Sequence, residues 1–127
     1  MADRPIESYQ DLRVWQLAMD LAVDTYRLTS GFPKHEQFGI TSQIRRSASS
    51  IAANIAEGYG RQNRGSYIQF LRIAQGSLKE LETHIILSER VGFCSADGVR
   101  PVLQHCDDIG RMLRGLIQSL GRRRGGE

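Results

Sequence analysis

The clearest structural signal in the chain is YIQFLRIAQGSLKELETHI, residues 67–85. Its apolar residues recur at alternating intervals of four and three, the spacing of one buried stripe on an α-helix. The stripe consists of Tyr67, Leu71, Ala74, Leu78, Leu81 and Ile85. Further apolar residues lie beside this stripe, so the helix has more apolar surface than one core requires. The pattern predicts a long helix that packs against more than one neighbour.

Three further segments have the same periodicity, and glycine or proline falls between them. We predict four helices, over residues 9–30, 40–59, 64–90 and 96–120. Gly121 is expected to end the last helix, which leaves residues 121–127 as a flexible tail. No sustained alternation indicates a strand, and short connections favour antiparallel neighbours. The sequence therefore predicts one all-α domain over residues 1–127, an antiparallel up-down four-helix bundle.

Capping residues and glycines set the expected helix ends. Ser8 and Asp11 have the spacing of a capping box before the first helix, and Ser95 is placed to cap the fourth. Gly58 is expected to help end the second helix. Gly76 lies inside the third helix, where glycine costs about 1 kcal/mol relative to alanine. A close helix contact at Gly76 would explain that cost.

The second helix has two uncharged faces. One carries the apolar core stripe, and the other carries the small residues Ser49, Ala52, Ala53 and Ala56. A helix that serves a single core is expected to carry charges on its other faces. The small face predicts either self-association of the chain or further burial within the monomer, and the sequence leaves both open.

Positive charge is concentrated in the middle of a chain whose net charge is only +3. Residues 45–79 contain one acid, Glu57, and six bases. The bases are Arg45, Arg46, Arg61, Arg64, Arg72 and Lys79. They predict a surface that binds the phosphates of RNA or DNA through charge rather than base reading. The alternative is that they solvate the bundle or pair with nearby glutamates.

Residues that could carry catalysis are sparse. Glu80 and His84 are four apart and His105 and Asp108 three apart, but each pair offers a metal only two ligands. We interpret both as hydrogen-bonding pairs. No Gly-x-Ser-x-Gly or Gly-Lys-Ser/Thr motif is present. The sequence therefore predicts no enzyme activity, no metal, no cofactor and no small-molecule substrate.

The spacing of the cysteines and the length of the apolar segments indicate the cellular compartment. Cys94 and Cys106 fit neither a disulfide framework nor a CxxC motif. No segment reaches the run of about 18 apolar residues that a membrane helix needs, and residues 1–7 are polar. We expect a cytoplasmic protein that does not insert into a membrane.

Several short motifs together resemble a known family. They are Leu12-Arg13-Val14-Trp15-Gln16, Gln43-Ile44-Arg45-Arg46-Ser47-Ala48, Asn54-Ile55-Ala56-Glu57-Gly58 and Ala74-Gln75-Gly76-Ser77-Leu78. The chain resembles, over residues 9–120, the bacterial four-helix bundle proteins encoded in intervening sequences of 23S ribosomal RNA genes. It is also similar to the accessory variability proteins of diversity-generating retroelements.

The resemblance implies a homopentameric ring with a basic surface for RNA or DNA and no catalytic residues. In the retroelement branch it also implies a reverse transcriptase partner. The nucleic-acid contacts that the resemblance implies are Arg45, Arg46, Arg61 and Arg64. Asn54 and Glu57 are expected to fix the register between helices or subunits. The leading hypothesis is an oligomeric accessory protein that binds nucleic acid, and its rival is a purely structural or protein-interaction module.

Overall fold

The structure, a computed structural model, describes the backbone of residues 5–125 and the side chains of residues 5–122. It contains four α-helices, with short 3-10 turns at Tyr9–Asp11 and Lys34–Glu36. The helices are α1 (Arg13–Thr29), α2 (Ile40–Tyr59), α3 (Arg64–Arg90) and α4 (Ala96–Gly125). No strand occurs within residues 5–125, so the predicted all-α class with four helices is confirmed.

The first helix begins later than predicted. The expected capping box is formed, because Ser8 Oγ accepts from the Gln10 amide and the Asp11 carboxylate accepts from the Ser8 amide. It caps the 3-10 turn rather than α1, since Leu12 is extended and separates the two. The predicted cap of α4 is also present, with Ser95 Oγ accepting from the Gly98 amide at 3.1 Å.

The predicted end of the fourth helix is wrong. α4 continues through Gly121 to Gly125, so the expected flexible tail is helical over 121–125, and residues 126–127 lie outside the described part. Glycine ends a helix when it adopts positive φ. Among the described glycines only Gly92 does so, at φ 87°, and it lies two residues after the end of α3. Gly121 keeps a conformation that permits the helix to continue.

The core lies between one stripe of each helix. In α2 the buried stripe consists of Ile44, Ala48, Ile51 and Ile55, and the predicted stripe of α3 is buried except at Tyr67, which is half-buried. In α4 Ile117 is buried, whereas Leu116 beside it is half-buried. Charged residues recur along every helix of this part of the chain, and none provides an apolar span of bilayer length.

Specific contacts tie the helices together around this core. Ser47 in α2 meets Glu80 in α3, and Leu78 in α3 lies 3.5 Å from the position of a Cβ on Gly110 in α4. His105 in α4 lies 3.3 Å from Asp24 in α1, which closes the ring of four helices.

The surroundings of Gly58 and Gly76 differ from those predicted. Gly58 lies inside α2 and is buried, and a Cβ there would be 2.8 Å from Phe70 Cβ and 3.1 Å from Tyr67 Cδ1. It permits the close approach of α2 to α3 instead of ending the helix. Gly76 is exposed, and a Cβ there would have nothing within 4 Å. The predicted close contact at Gly76 is therefore wrong within the chain.

Candidate nucleic-acid interface

Arg45 is turned toward α1. Its Nε donates to Thr29 Oγ1 at 2.9 Å, and a terminal nitrogen donates to the Tyr26 carbonyl at 3.3 Å. The guanidinium carbon lies 4.6 Å from the centroid of the Tyr26 ring, within the range of a cation–π contact. The side chain is half-buried, so it joins α2 to α1 rather than projecting into solvent.

Arg46 and Arg72 are the most accessible of the predicted contacts. Both residues are exposed, and within the described part of the chain neither side chain has a hydrogen bond or an ion pair. Lys79 is 74% exposed and pairs with Glu82 at 3.2 Å, an interaction between Nζ and Oε1. Pairs at an exposed lysine are weak, so a phosphate can replace the glutamate as its partner.

Arg61 bridges the end of α2 and the first turns of α3. Its guanidinium carbon lies 4.7 Å from the centroid of the Phe70 ring, and a terminal nitrogen lies 3.7 Å from Glu57 Oε1. Arg64 is half-buried and is the first residue of α3. The start of that helix is capped by Asn63 Oδ1, which accepts from the Ser66 amide at 2.8 Å.

The contacts between α2 and α3 place these cations at defined levels. Ser47 meets Glu80, so the neighbouring Arg46 lies at the level of Lys79. Arg72 is eight residues before Glu80, a distance of about 12 Å along the helix. Arg46 is thus exposed on α2 and Arg72 and Lys79 are exposed on α3, whereas Arg45 is turned toward α1.

A polar stripe links α2 to α3 beneath that surface. Ser47 Oγ donates to Glu80 Oε1 at 2.5 Å, and the hydroxyls of Ser50 and Ser77 are 2.9 Å apart. Asn54 Nδ2 donates to the Ser50 carbonyl at 2.8 Å and lies 3.0 Å from its hydroxyl. The structure therefore connects Asn54 to α3 only through Ser50. Glu57 pairs with Arg61 on its own side of the turn rather than across helices.

A groove of about 700 Å³ runs between α1 and α2. All four small residues singled out on α2 line it, together with an apolar face of α1. From α1 the groove includes Met19, Val23 and Tyr26, which are 41%, 44% and 47% exposed. Ala52 is buried within the monomer, while Ala53 is exposed, so the small face serves both the core and an open surface.

Three of the four side chains considered for metal binding have other partners. Glu80 accepts from Ser47, and Asp108 accepts from Arg111 at 2.6 Å. His105 Nδ1 lies 3.3 Å from Asp24. Within the described residues, no three His, Cys, Asp or Glu side chains are arranged to hold a metal ion.

The two free cysteines are protected by their surroundings. Burial, reinforced by Glu82 and Asp107, raises the pKa of the Cys106 thiol to about 12. Burial also raises the pKa of Cys94, with a further contribution from Glu89. Because the thiolate is the reactive form, both thiols are poor nucleophiles at neutral pH.

Sequence reasoning missed the α1 wall of the groove. Trp15, Met19, Val23 and Tyr26 follow one another at intervals of four, four and three, beside the core stripe. This second apolar stripe could have indicated the groove from the sequence, as the small face of α2 did for the other wall. The cross-helix contacts of Arg45, by contrast, leave no local pattern in the sequence.

Known proteins are similar to this chain in sequence and in fold. The sequence profile of the family described as 23S rRNA-intervening sequence protein matches residues 10–115. A solved structure of a protein of unknown function from Bacteroides thetaiotaomicron, in the S23 ribosomal protein family, has a similar fold with a TM-score of 0.74. It is 26% identical and covers 82% of this chain and 97% of its own. No curated protein matches the chain significantly.

Proposed function

The chain belongs to the family of 23S rRNA-intervening sequence proteins, and from this premise we propose that it is a non-enzymatic, homo-oligomeric accessory protein that binds RNA or DNA. The outer surfaces of α2 and α3 form the binding site. The observation that carries the proposal is the exposure of Arg46 and Arg72 without partners in the described residues, inside a segment with six bases and one acid.

The proposed architecture is an antiparallel up-down bundle. Ser47 meets Glu80 near one end of α2, and Gly58 meets Phe70 near the other. From Ser47 to Gly58 the residue numbers rise along α2, while those of their contacts on α3 fall from Glu80 to Phe70. This order supports antiparallel packing of α2 and α3. A homopentamer is the assembly that the resemblance favours, and the open apolar groove between α1 and α2 supports self-association.

The spacing of the cations fits a phosphate backbone. Arg72 and Lys79 lie about 10.5 Å apart along α3, and each strand of duplex DNA carries one phosphate per about 3.4 Å. Three or four phosphates therefore fit along this surface. Side chains of this kind position a backbone but do not read base edges, so binding should depend weakly on sequence.

Binding is tested by titrating a labelled single-stranded RNA or DNA at about 50 and 200 mM salt. We expect affinity to fall steeply with salt. The double substitution Arg46→Glu with Arg72→Glu should weaken binding at least tenfold, and it should reduce the salt slope by about 1.4, since each single-strand contact contributes about 0.7. These two positions are chosen because Arg45 and Arg61 also hold the fold.

The matched control is Arg100→Glu. Arg100 is 74% exposed on α4 and, among the described residues, pairs with the exposed Asp97, so its reversal makes the same charge change as each single substitution of the double variant, away from the proposed site. Unchanged affinity in the double variant, or an equal loss in the control, would refute the assignment of Arg46 and Arg72.

A protein-interaction module is the second candidate, and the α1–α2 groove is the observation that favours it. It predicts an intact oligomer that binds neither RNA nor DNA at low salt. Because of the similarity to the accessory variability proteins, we propose a reverse transcriptase as the protein partner. Co-expression and co-purification of the two chains would test this partner.

The absence of catalysis and the cytoplasmic location are part of the proposal. Cys106, with its buried thiol and a pKa of about 12, is unsuited to nucleophilic catalysis, which supports a binding role. Two free cysteines support a reducing compartment. Assays of the purified protein for RNA or DNA cleavage would test the non-enzymatic assignment.

A further inference from the structure

The exposed apolar features of the described residues include a groove and a projecting aromatic ring. One is the groove between α1 and α2, whose α1 wall includes Met19, Val23 and Tyr26. The other is Phe38, in the connection between α1 and α2, which is 90% exposed. Burying a phenylalanine side chain is favourable, and leaving it in water forgoes that stabilisation. Phe38 does not reach the groove of its own chain, since it has almost no protein contact.

We propose that Phe38 of one copy of the chain inserts into the α1–α2 groove of a second copy. The inference rests on the self-association in the proposed function and names the contact that produces it. The groove, about 700 Å³, is larger than one aromatic ring needs and has room for the residues beside Phe38.

One charge on each surface is placed to orient this contact. The connection that carries Phe38 also carries Glu36. The wall of the groove includes Arg27, whose side chain is 79% exposed. Asp24, 4.0 Å from Arg27, does not line the groove and lies 3.3 Å from His105 of α4. Glu36 of the incoming copy can therefore pair with Arg27, and this pair would orient the contact, whereas the apolar ring supplies most of its stability.

The contact is heterologous, because Phe38 and the groove are different surfaces of the chain. Heterologous contacts generate a closed ring when the rotation between copies closes, and an open filament when it does not. A chain that can use only one of the two surfaces cannot propagate the assembly. This property separates the proposal from a symmetric dimer made by one self-complementary patch.

The first experiment measures molar mass by size-exclusion chromatography with light scattering, at equal protein concentration. We expect Phe38→Asp to convert the oligomer to monomer, because a carboxylate cannot enter the groove. Ala53→Trp, which fills the groove from an exposed position, should do the same. The control Val91→Asp alters another exposed apolar residue, 53% exposed at the end of α3, and should leave the mass unchanged. Circular dichroism checks that each variant is folded.

Mixing the two monomeric variants gives the sharper test. The Phe38→Asp chain keeps an intact groove, and the Ala53→Trp chain keeps an intact Phe38. Together they should form a one-to-one heterodimer and nothing larger. Failure of the mixture to associate would overturn the proposal.

Covalent trapping provides a measurement that does not depend on disruption. In a Cys94→Ser background, the pair Phe38→Cys with Val23→Cys should give disulfide-linked dimers and higher multimers under mild oxidation. The pair Val91→Cys with Val23→Cys should not. Oligomers that persist in Phe38→Asp would overturn this contact and leave self-association standing, whereas a monomeric wild-type chain would overturn both.

Discussion

Gly58 provides a direct test of how closely α2 and α3 pack. A Cβ at this position would lie 2.8 Å from Phe70 Cβ and 3.2 Å from the Tyr67 carbonyl oxygen. Carbon atoms pack at about 3.5–4.0 Å, so Gly58→Ala brings two carbons about 1 Å too close. Phe70 Cβ is fixed to the backbone of α3, and no rotamer change relieves the clash. The two helices must therefore separate, which costs about 1–3 kcal/mol for overpacking of this kind.

The substitution also has a favourable effect. Alanine is better than glycine inside a helix by about 1 kcal/mol. We therefore expect Gly58→Ala to destabilise the protein by a net value of up to about 2 kcal/mol. Gly76→Ala is the matched control, since the same change in α3 meets open space, and it should stabilise by about 0.5–1 kcal/mol.

Urea unfolding followed by circular dichroism measures both free energies of unfolding. Protein concentration must be equal throughout, because an oligomer gains stability with concentration. For a chain of this size the two variants should also differ in melting temperature by several degrees. Equal stabilisation by both alanines would show that α2 and α3 are not in contact at Gly58, and the packing described above would be wrong.

Three further predictions follow from single contacts. Arg45→Ala should lower the free energy of unfolding in urea by about 1–2 kcal/mol through loss of its contacts with α1, and Arg46→Ala should change it by less than about 0.5 kcal/mol. Between pH 8 and 10 the stability advantage of the wild type over Cys106→Ala should shrink by about 1.4 kcal/mol, because the unfolded thiol ionises near pH 9 while the folded one stays protonated up to about pH 12; urea midpoints at both pH values measure this. Phe38→Asp should weaken RNA binding in the same titration although every arginine is retained, because a monomer has no multivalency; equal affinity in monomer and oligomer would contradict this.

The parts of the fold that depend on local periodicity could be predicted from the sequence. A core stripe such as Ile44 to Ile55 is a property of one helix, and its burial follows from spacing alone. Helix ends depend on the backbone angle of individual glycines: Gly92 has positive φ and follows the end of α3, whereas α4 continues through Gly121 although Gly121 was predicted to end it. The sequence shows that a glycine is present but does not give its φ.

The candidate site was less predictable because it depends on contacts between helices. Arg45 and Arg46 are adjacent and chemically identical, and both were predicted to contact nucleic acid. A rotation of about 100° directs one toward Tyr26 of α1 and the other toward solvent. The partner that removes Arg45 from the surface lies 19 residues away, and no local pattern announces it. Charge counted along a segment therefore overstates the accessible charge.

The proposed nucleic-acid surface and the proposed groove contact both include the outer face of α2. Arg46 and Ala53 are seven residues apart, which places them on nearly the same side of the helix and about 10 Å from each other. A neighbouring copy whose Phe38 lies in the groove beside Ala53 would therefore sit next to Arg46. Each copy contributes only a few phosphate contacts, which gives weak, salt-sensitive binding on its own. Repeating that surface around an assembly raises the effective affinity without any new contact, so the modest net charge of +3 per chain is compatible with nucleic-acid binding by the oligomer.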